Sequence, residues 1–133
     1  MWRGEKGGST YGGNLLACRA ALYFLDELVG GGLIGRVGTV GAALERRLRA
    51  LAARCALVRE VRGAGLMWGL ELAEDAAPVV SAALDRGVVV NRTAEKVVRL
   101  LPPLVITEPE IDEAISRLET AFDAVAGSGG KAA

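Results

Sequence analysis

The chain has 133 residues, half of them apolar, with 16 Lys plus Arg against 16 Asp plus Glu and no histidine. That length suits one ordinary domain, able to hide roughly two-thirds of its unfolded surface. Zero net charge offers no basic face for nucleic acid and little self-repulsion, and the missing histidine removes His-based triads and most zinc sites, so no metal site is expected.

The opening "MWRGEKGG" lacks an apolar signal core, and the apolar run from Leu15 is broken by Arg19, Asp26 and Glu27. Neither a signal peptide nor a membrane span is predicted, and the chain reads as cytoplasmic. Cys18 and Cys55 sit among alanines and leucines, so both read as buried thiols in a reducing compartment.

"KGGSTYGGN" precedes the first helix. Its glycines and hydroxyls fit a plain loop. They also fit an anion loop, with Ser9 and Thr10 as donors and a helix beginning just beyond. Asn14 is placed to cap that helix, which runs through Val29 until Gly30, Gly31 and Gly32 end it. Steps of three and four through Ile34, Val37, Gly41, Leu44, Leu48, Leu51 and Cys55 predict a second, amphipathic helix, with Glu45, Arg46, Arg47 and Arg49 mainly outward. Gly35, Gly38 and Gly41 in its first turns point to close backbone contacts.

The period then falls to two. "LVREVR", 57–62, alternates as a strand, Gly63–Gly65 makes a turn, and "LMWGLEL" is a second strand. Asp75 as N-cap, Pro78 in the first turn and Gly87 as stop frame a third helix. "VVVN" and "VVRLLPP" predict two more strands around a polar turn near Thr93–Glu95. Thr107 and Glu110 have capping-box spacing before the face of Ile111, Ile115, Leu118, Phe122 and Val125. "GSGGKAA" reads as a flexible tail. Two hairpins imply an α+β fold: a small, mostly antiparallel sheet with helices on one face, preceded by a helical arm.

Few residues point to chemistry. "GAGLMWG" lacks the spacing of a dinucleotide fingerprint, and a strand pattern follows where a helix is required. The acidic cluster at Glu108, Glu110, Asp112 and Glu113 complements a helix dipole, and Glu71, Glu74 and Asp75 have no partners that make an acid–base pair. Arg99 is different. It stands in "VVRLLPP", flanked by Val97, Val98, Leu100 and Leu101. Alternation allows it to face solvent; a forked anchor for a carboxylate is the other reading.

Two segments taken together resemble the class-III pyridoxal-phosphate aminotransferases of the ornithine and acetylornithine type. One is Gly8-Ser9-Thr10-Tyr11-Gly12-Gly13-Asn14 with Leu16-Ala17-Cys18. The other is Val90-Asn91, Thr93-Ala94 and Val97-Val98-Arg99-Leu100-Leu101-Pro102-Pro103-Leu104 with Ile106-Thr107-Glu108. Between them, Val58 to Met67 is similar to the family's first small-domain strands. "TAEKVVRLLPPL" is most like the acetylornithine branch.

The resemblance covers the C-terminal part of such an enzyme, of fold type I. It implies residues 1–31 as phosphate loop and helical arm at the edge of a large domain, 32–126 as the small domain and 127–133 as the tail. It implies pyridoxal 5'-phosphate as cofactor, with Ser9 and Thr10 reaching across a homodimer interface to the neighbour's cofactor phosphate. Arg99 matches the arginine for the substrate α-carboxylate, and Asn91 lies near it. The substrates implied are an ω-amino acid such as N-acetylornithine and 2-oxoglutarate.

The departures are specific. Gly7 stands where the family has histidine, and Leu15 where it has proline. Lys6, Lys96 and Lys131 match no cofactor-lysine motif, so no catalytic residue is expected in this chain. It would need the large domain to transaminate, because a carboxylate clamp and a phosphate loop orient a substrate without supplying an electron sink. A non-catalytic dimerisation or accessory domain, or a remnant of such an enzyme, is the alternative.

Overall fold

The computed structural model describes residues 13–129. The element order is the one expected: α1 (Leu15–Val29), α2 (Leu33–Arg54), β1 (Val58–Ala64), β2 (Met67–Leu72), α3 (Ala77–Asp85), β3 (Asn91–Thr93), β4 (Val97–Leu100) and α4 (Glu108–Gly129). Contacts divide the chain into two compact units between Ile34 and Gly35.

In the first unit, Asn14 Oδ1 accepts the Leu16 and Ala17 N–H groups at 2.9 and 3.2 Å, the N-cap its side chain predicts. At the other end the Gly30 N–H reaches the Asp26 carbonyl. None of the residues of α1 is buried. Cys18, expected inside, is therefore exposed, like most of its neighbours on that helix. Cys55, at the end of α2 in the second unit, is half-buried, again short of the expectation.

The second unit is built on an antiparallel sheet of order β1-β2-β4-β3. On one face Trp68 and Leu70 stand opposite Leu100 and Val98, and all four are buried. Leu44, Leu48 and Leu51 of α2, Val79 and Ala83 of α3, and Ile111, Ile115, Leu118 and Phe122 of α4 complete that core. Each fully buried large side chain here contributes about 1.5–3 kcal/mol relative to exposure. Trp68 buries its ring while its Nε1–H donates to the Gly65 carbonyl at 2.8 Å.

Local details depart from simple alternation. A bulge at Arg59 places Val58 opposite Leu72 and Val61 opposite Leu70, so both valines pack on the core face that strict alternation would split. The expected strand at 88–91 begins only at Asn91. The Val88 N–H is engaged by the Ala83 carbonyl at the end of α3, which withholds this stretch from the sheet. Asp75 caps from one residue earlier than expected: Ala76 is the N-cap, and Asp75 Oδ1 accepts the Ala77 N–H at 2.7 Å.

The first turn of α4 follows the capping box in part. The Thr107 N–H and Oγ1–H both donate to Glu110 Oε2, at 2.8 and 2.7 Å. The helix then runs to Gly129, three residues into the stretch expected to be a tail. Arg47, expected outward, lies between α2 and α4 and is paired with Asp112 and Glu108.

Candidate active site

The sheet has a second face, opposite the core, and the register lays out its residues. Arg62 of β1 stands opposite Gly69 of β2, Gly69 opposite Arg99 of β4, and Arg99 opposite Asn91 of β3. Directly opposed residues in antiparallel strands share a face, so Arg62, Gly69, Arg99 and Asn91 form one row across all four strands. The neighbouring row is Glu60, Glu71, Val97 and Thr93.

Arg99 is half-buried and Asn91 exposed. The Arg99 Nε is shielded from solvent and has no hydrogen-bond partner among the described residues. A buried donor left unmet costs about 1–3 kcal/mol. Arg99 lines two concavities. One, about 540 Å³, lies between residues 87–91, residues 99–106 and α4, and includes Asn91. The other, about 490 Å³, lies over the sheet face between Gly69, Arg62 and Thr93. The arginine therefore does not simply face solvent. It presents a planar cation at the wall of two open cavities.

The other arginine of the row is committed. Arg62 Nη1 donates to Glu71 Oε2 at 2.7 Å and to Glu60 Oε2 at 3.3 Å. No ion pair joins Arg99 to any described acidic residue. The sequence by itself does not single out Arg62 and Gly69. Alternation could put them on the Arg99 face, but only the β2–β4 register puts them in its row.

Ser9 and Thr10 lie outside the described residues. The start of α1, just beyond them, bears on an anion site. The Leu16 and Ala17 N–H groups are already spent on Asn14, and the Cys18 N–H on the Asn14 carbonyl. The helix start thus keeps its dipole but has few free donors. A phosphate held here would depend on the hydroxyls and N–H groups of the loop itself.

The sheet thus carries helices on its core face and a half-buried arginine on the other. The sequence model described as Aminotransferase class-III matches residues 1–122. The chain belongs to that family. It is 44% identical over 111 residues to the acetylornithine aminotransferase of Methanothermobacter thermautotrophicus, covering 84% of this chain and 28% of the relative. It is 41% identical over 119 residues to the mitochondrial acetylornithine aminotransferase of Neurospora crassa, covering 89% of this chain and 26% of that one. Among solved structures it is similar to the ornithine aminotransferase of Toxoplasma gondii, with a TM-score of 0.82 and 34% identity over 97% of this chain and 32% of that one. The acetylornithine aminotransferase of Elizabethkingia anophelis superposes with a TM-score of 0.79 at 27% identity, over 92% of this chain and 32% of that one. The chain thus spans little more than a quarter of the curated relatives it matches.

Proposed function

We propose that the chain is the C-terminal portion of a pyridoxal-phosphate-dependent aminotransferase that moves an amino group between an ω-amino acid such as N-acetylornithine and 2-oxoglutarate. One observation carries the reading: the half-buried guanidinium of Arg99, whose Nε has no partner among the described residues. A guanidinium on an open sheet face matches a carboxylate through two parallel hydrogen bonds. Both proposed substrates carry an α-carboxylate, so one arginine serves both half-reactions. Asn91, opposite Arg99 in the register, adds an amide that donates to the same ligand. Ser9 and Thr10 supply hydroxyl donors to the cofactor phosphate of a neighbouring subunit.

When bound, pyridoxal phosphate supplies the electron sink for the exchange. The residues of this chain bind and orient; they hold the substrate by its carboxylate while its amine reaches the reacting centre. In this reading the lysine that carries the cofactor belongs to the large domain. Lys96, the one lysine among the described residues, donates its Nζ to the Ala73 carbonyl at 3.2 Å, at the end of β2. In this reading residues 1–31 are the edge of a large domain, 32–126 the small domain and 127–133 the tail. The complete enzyme is a cytoplasmic homodimer. The two cysteines, both free, fit a reducing compartment, and no helix among the described residues is long and apolar enough to cross a membrane.

The test is a graft. This chain replaces the matching C-terminal segment of the Methanothermobacter enzyme, and glutamate formation from N-acetylornithine and 2-oxoglutarate is measured. The chimera should turn over, and the 133-residue chain with added pyridoxal phosphate should not. A folded, cofactor-loaded chimera without activity overturns the assignment. Turnover by the chain alone overturns its incompleteness.

A second reading, a non-catalytic dimerisation or accessory domain, draws on α1. Leu15, Leu16, Tyr23 and Val29 are each more than two-thirds exposed on it. Sedimentation of the purified chain, alone and with a full-length homologue, decides: a clean monomer without a partner counts against this reading.

A further inference from the structure

Glu71 stands between two arginines. Arg62 and Arg99 both oppose Gly69, two residues before Glu71 on β2, so each is a diagonal neighbour of Glu71 on the same face. Diagonal neighbours lie about 7–8 Å apart, within reach of long side chains. Glu71 could therefore pair with either. In the structure it pairs with Arg62, at 2.7 Å, and Arg99 is left with a shielded, unmet Nε. Glu60, which Arg62 also holds, is two strands away from Arg99 and does not compete for it.

We infer that Arg62 is a positioning residue that withholds Glu71 from Arg99 and so keeps the carboxylate-binding guanidinium free. The inference deepens the proposed function and rests on it for the identity of the ligand. As an exposed ion pair, Arg62 with Glu71 adds little to stability. Its effect is on occupancy. Without Arg62, the carboxylate of Glu71 turns to the neighbouring cation that lacks a partner and forms an internal mimic of the substrate carboxylate. Gly69 allows this geometry, since it places no side chain between the two arginines.

The experiment uses the full 133-residue chain and the ¹H–¹⁵N signals of its arginine Nε–H groups. The Arg99 signal is assigned by its loss in Arg99→Met. Without ligand, Arg62→Ala should move the Arg99 signal, and Arg62→Ala with Glu71→Gln should return it. Arg62→Lys, which keeps the charge, should leave it in place. In a titration with 2-oxoglutarate, Arg62→Ala should weaken binding about tenfold and the double variant should recover it to within about twofold of wild type. Arg62 is more than half exposed, so all variants should fold, which circular dichroism checks. An Arg99 signal that Arg62→Ala leaves unmoved, or that Glu71→Gln fails to restore, overturns the inference. A wild-type Arg99 signal indifferent to 2-oxoglutarate overturns instead the carboxylate-binding role given to Arg99 in the proposed function, while the ligand-free comparison still decides the role of Arg62.

Discussion

Gly41 of α2 and Gly65 of the β1–β2 turn meet backbone to backbone: a Cβ on Gly41 would lie 2.5 Å from the Gly65 carbonyl oxygen. Of the three glycines expected to make close backbone contacts in the second helix, only Gly41 does so, and it sets how near α2 comes to the hairpin that carries Arg62 and Gly69; Gly35 and Gly38 meet nothing within 4 Å. Gly65 adopts φ +56°, a conformation that disfavours a side chain, so neither partner yields easily. Gly38, three residues earlier on α2, faces open space and is exposed. The two glycines should then respond in opposite directions. Gly41→Ala should destabilise by about 1–3 kcal/mol through overpacking. Gly38→Ala should stabilise by up to about 1 kcal/mol, the propensity difference in a helix interior. Chemical denaturation of the two variants beside wild type checks both.

Two carboxylates tie helix starts to pH. Glu110 is held below its usual value because the Thr107 hydroxyl and N–H both donate to it. Asp75 is held below its own by the Ala77 N–H and then by Arg92, which grips it with two nitrogens. A folded-state pKa depressed below the unfolded value gives stability that is present above the unfolded pKa and lost as pH falls through the folded one. Glu110→Gln and Asp75→Asn should therefore lower Tm at pH 7. The deficit against wild type should shrink as pH drops below the usual 4.5 for Glu110 and 3.8 for Asp75. Thermal melts from pH 7 to pH 3 measure it.

The β3–β4 hairpin turns through Ala94 and Glu95, both at positive φ, 48° and 59°. Neither is the glycine or asparagine that such a turn favours. The turn is held by its surroundings: the Glu95 carbonyl accepts the Ala76 N–H at 2.9 Å and Arg92 Nε at 3.2 Å. Relieving the left-handed strain should stabilise the protein, since an L-residue there costs about 1–2 kcal/mol. Ala94→Gly should raise Tm, by less than that cost implies because glycine also loses more freedom on folding. A fall in Tm would mean that the Ala94 side chain contributes contacts worth more than the strain.

Periodicity, caps and turn residues made the element order, the two hairpins, the Asn14 cap and the Thr107–Glu110 box legible, because each is a relation between residues close in the chain. What escaped depends on distant partners. The Arg59 bulge shows only against β2. The start of β3 at Asn91 depends on where the end of α3 places its bonds. The exposure of Cys18 reflects a helix whose pattern is apolar but none of whose residues is buried. The site divides the same way. Arg99 is conspicuous as a charge in an apolar strand, whereas Arg62 and Gly69 join it only through a register of residues about 30 apart. Ser9 and Thr10 gained a role from family resemblance alone and lie outside the described residues.

Arg99 should separate stability from binding. Its Nε is shielded and unmet, so the folded chain bears a desolvation cost that a well-packed apolar side chain would not. Arg99→Met keeps the length of the stem against Gly69 and Asn91 and removes the charge. It should leave Tm unchanged or raise it. In the chimera with the Methanothermobacter large domain, both Arg99→Met and Arg99→Ala should raise KM for amino donor and 2-oxo acid alike. Loss of a charge-assisted fork is worth about 2–3 kcal/mol, or roughly 30- to 150-fold. A residue that only packed or solubilised the sheet would behave otherwise, losing stability and leaving both KM values in place. Steady-state kinetics on both substrates, beside melts of the same variants, distinguish the two; unchanged KM values would remove Arg99 from the site.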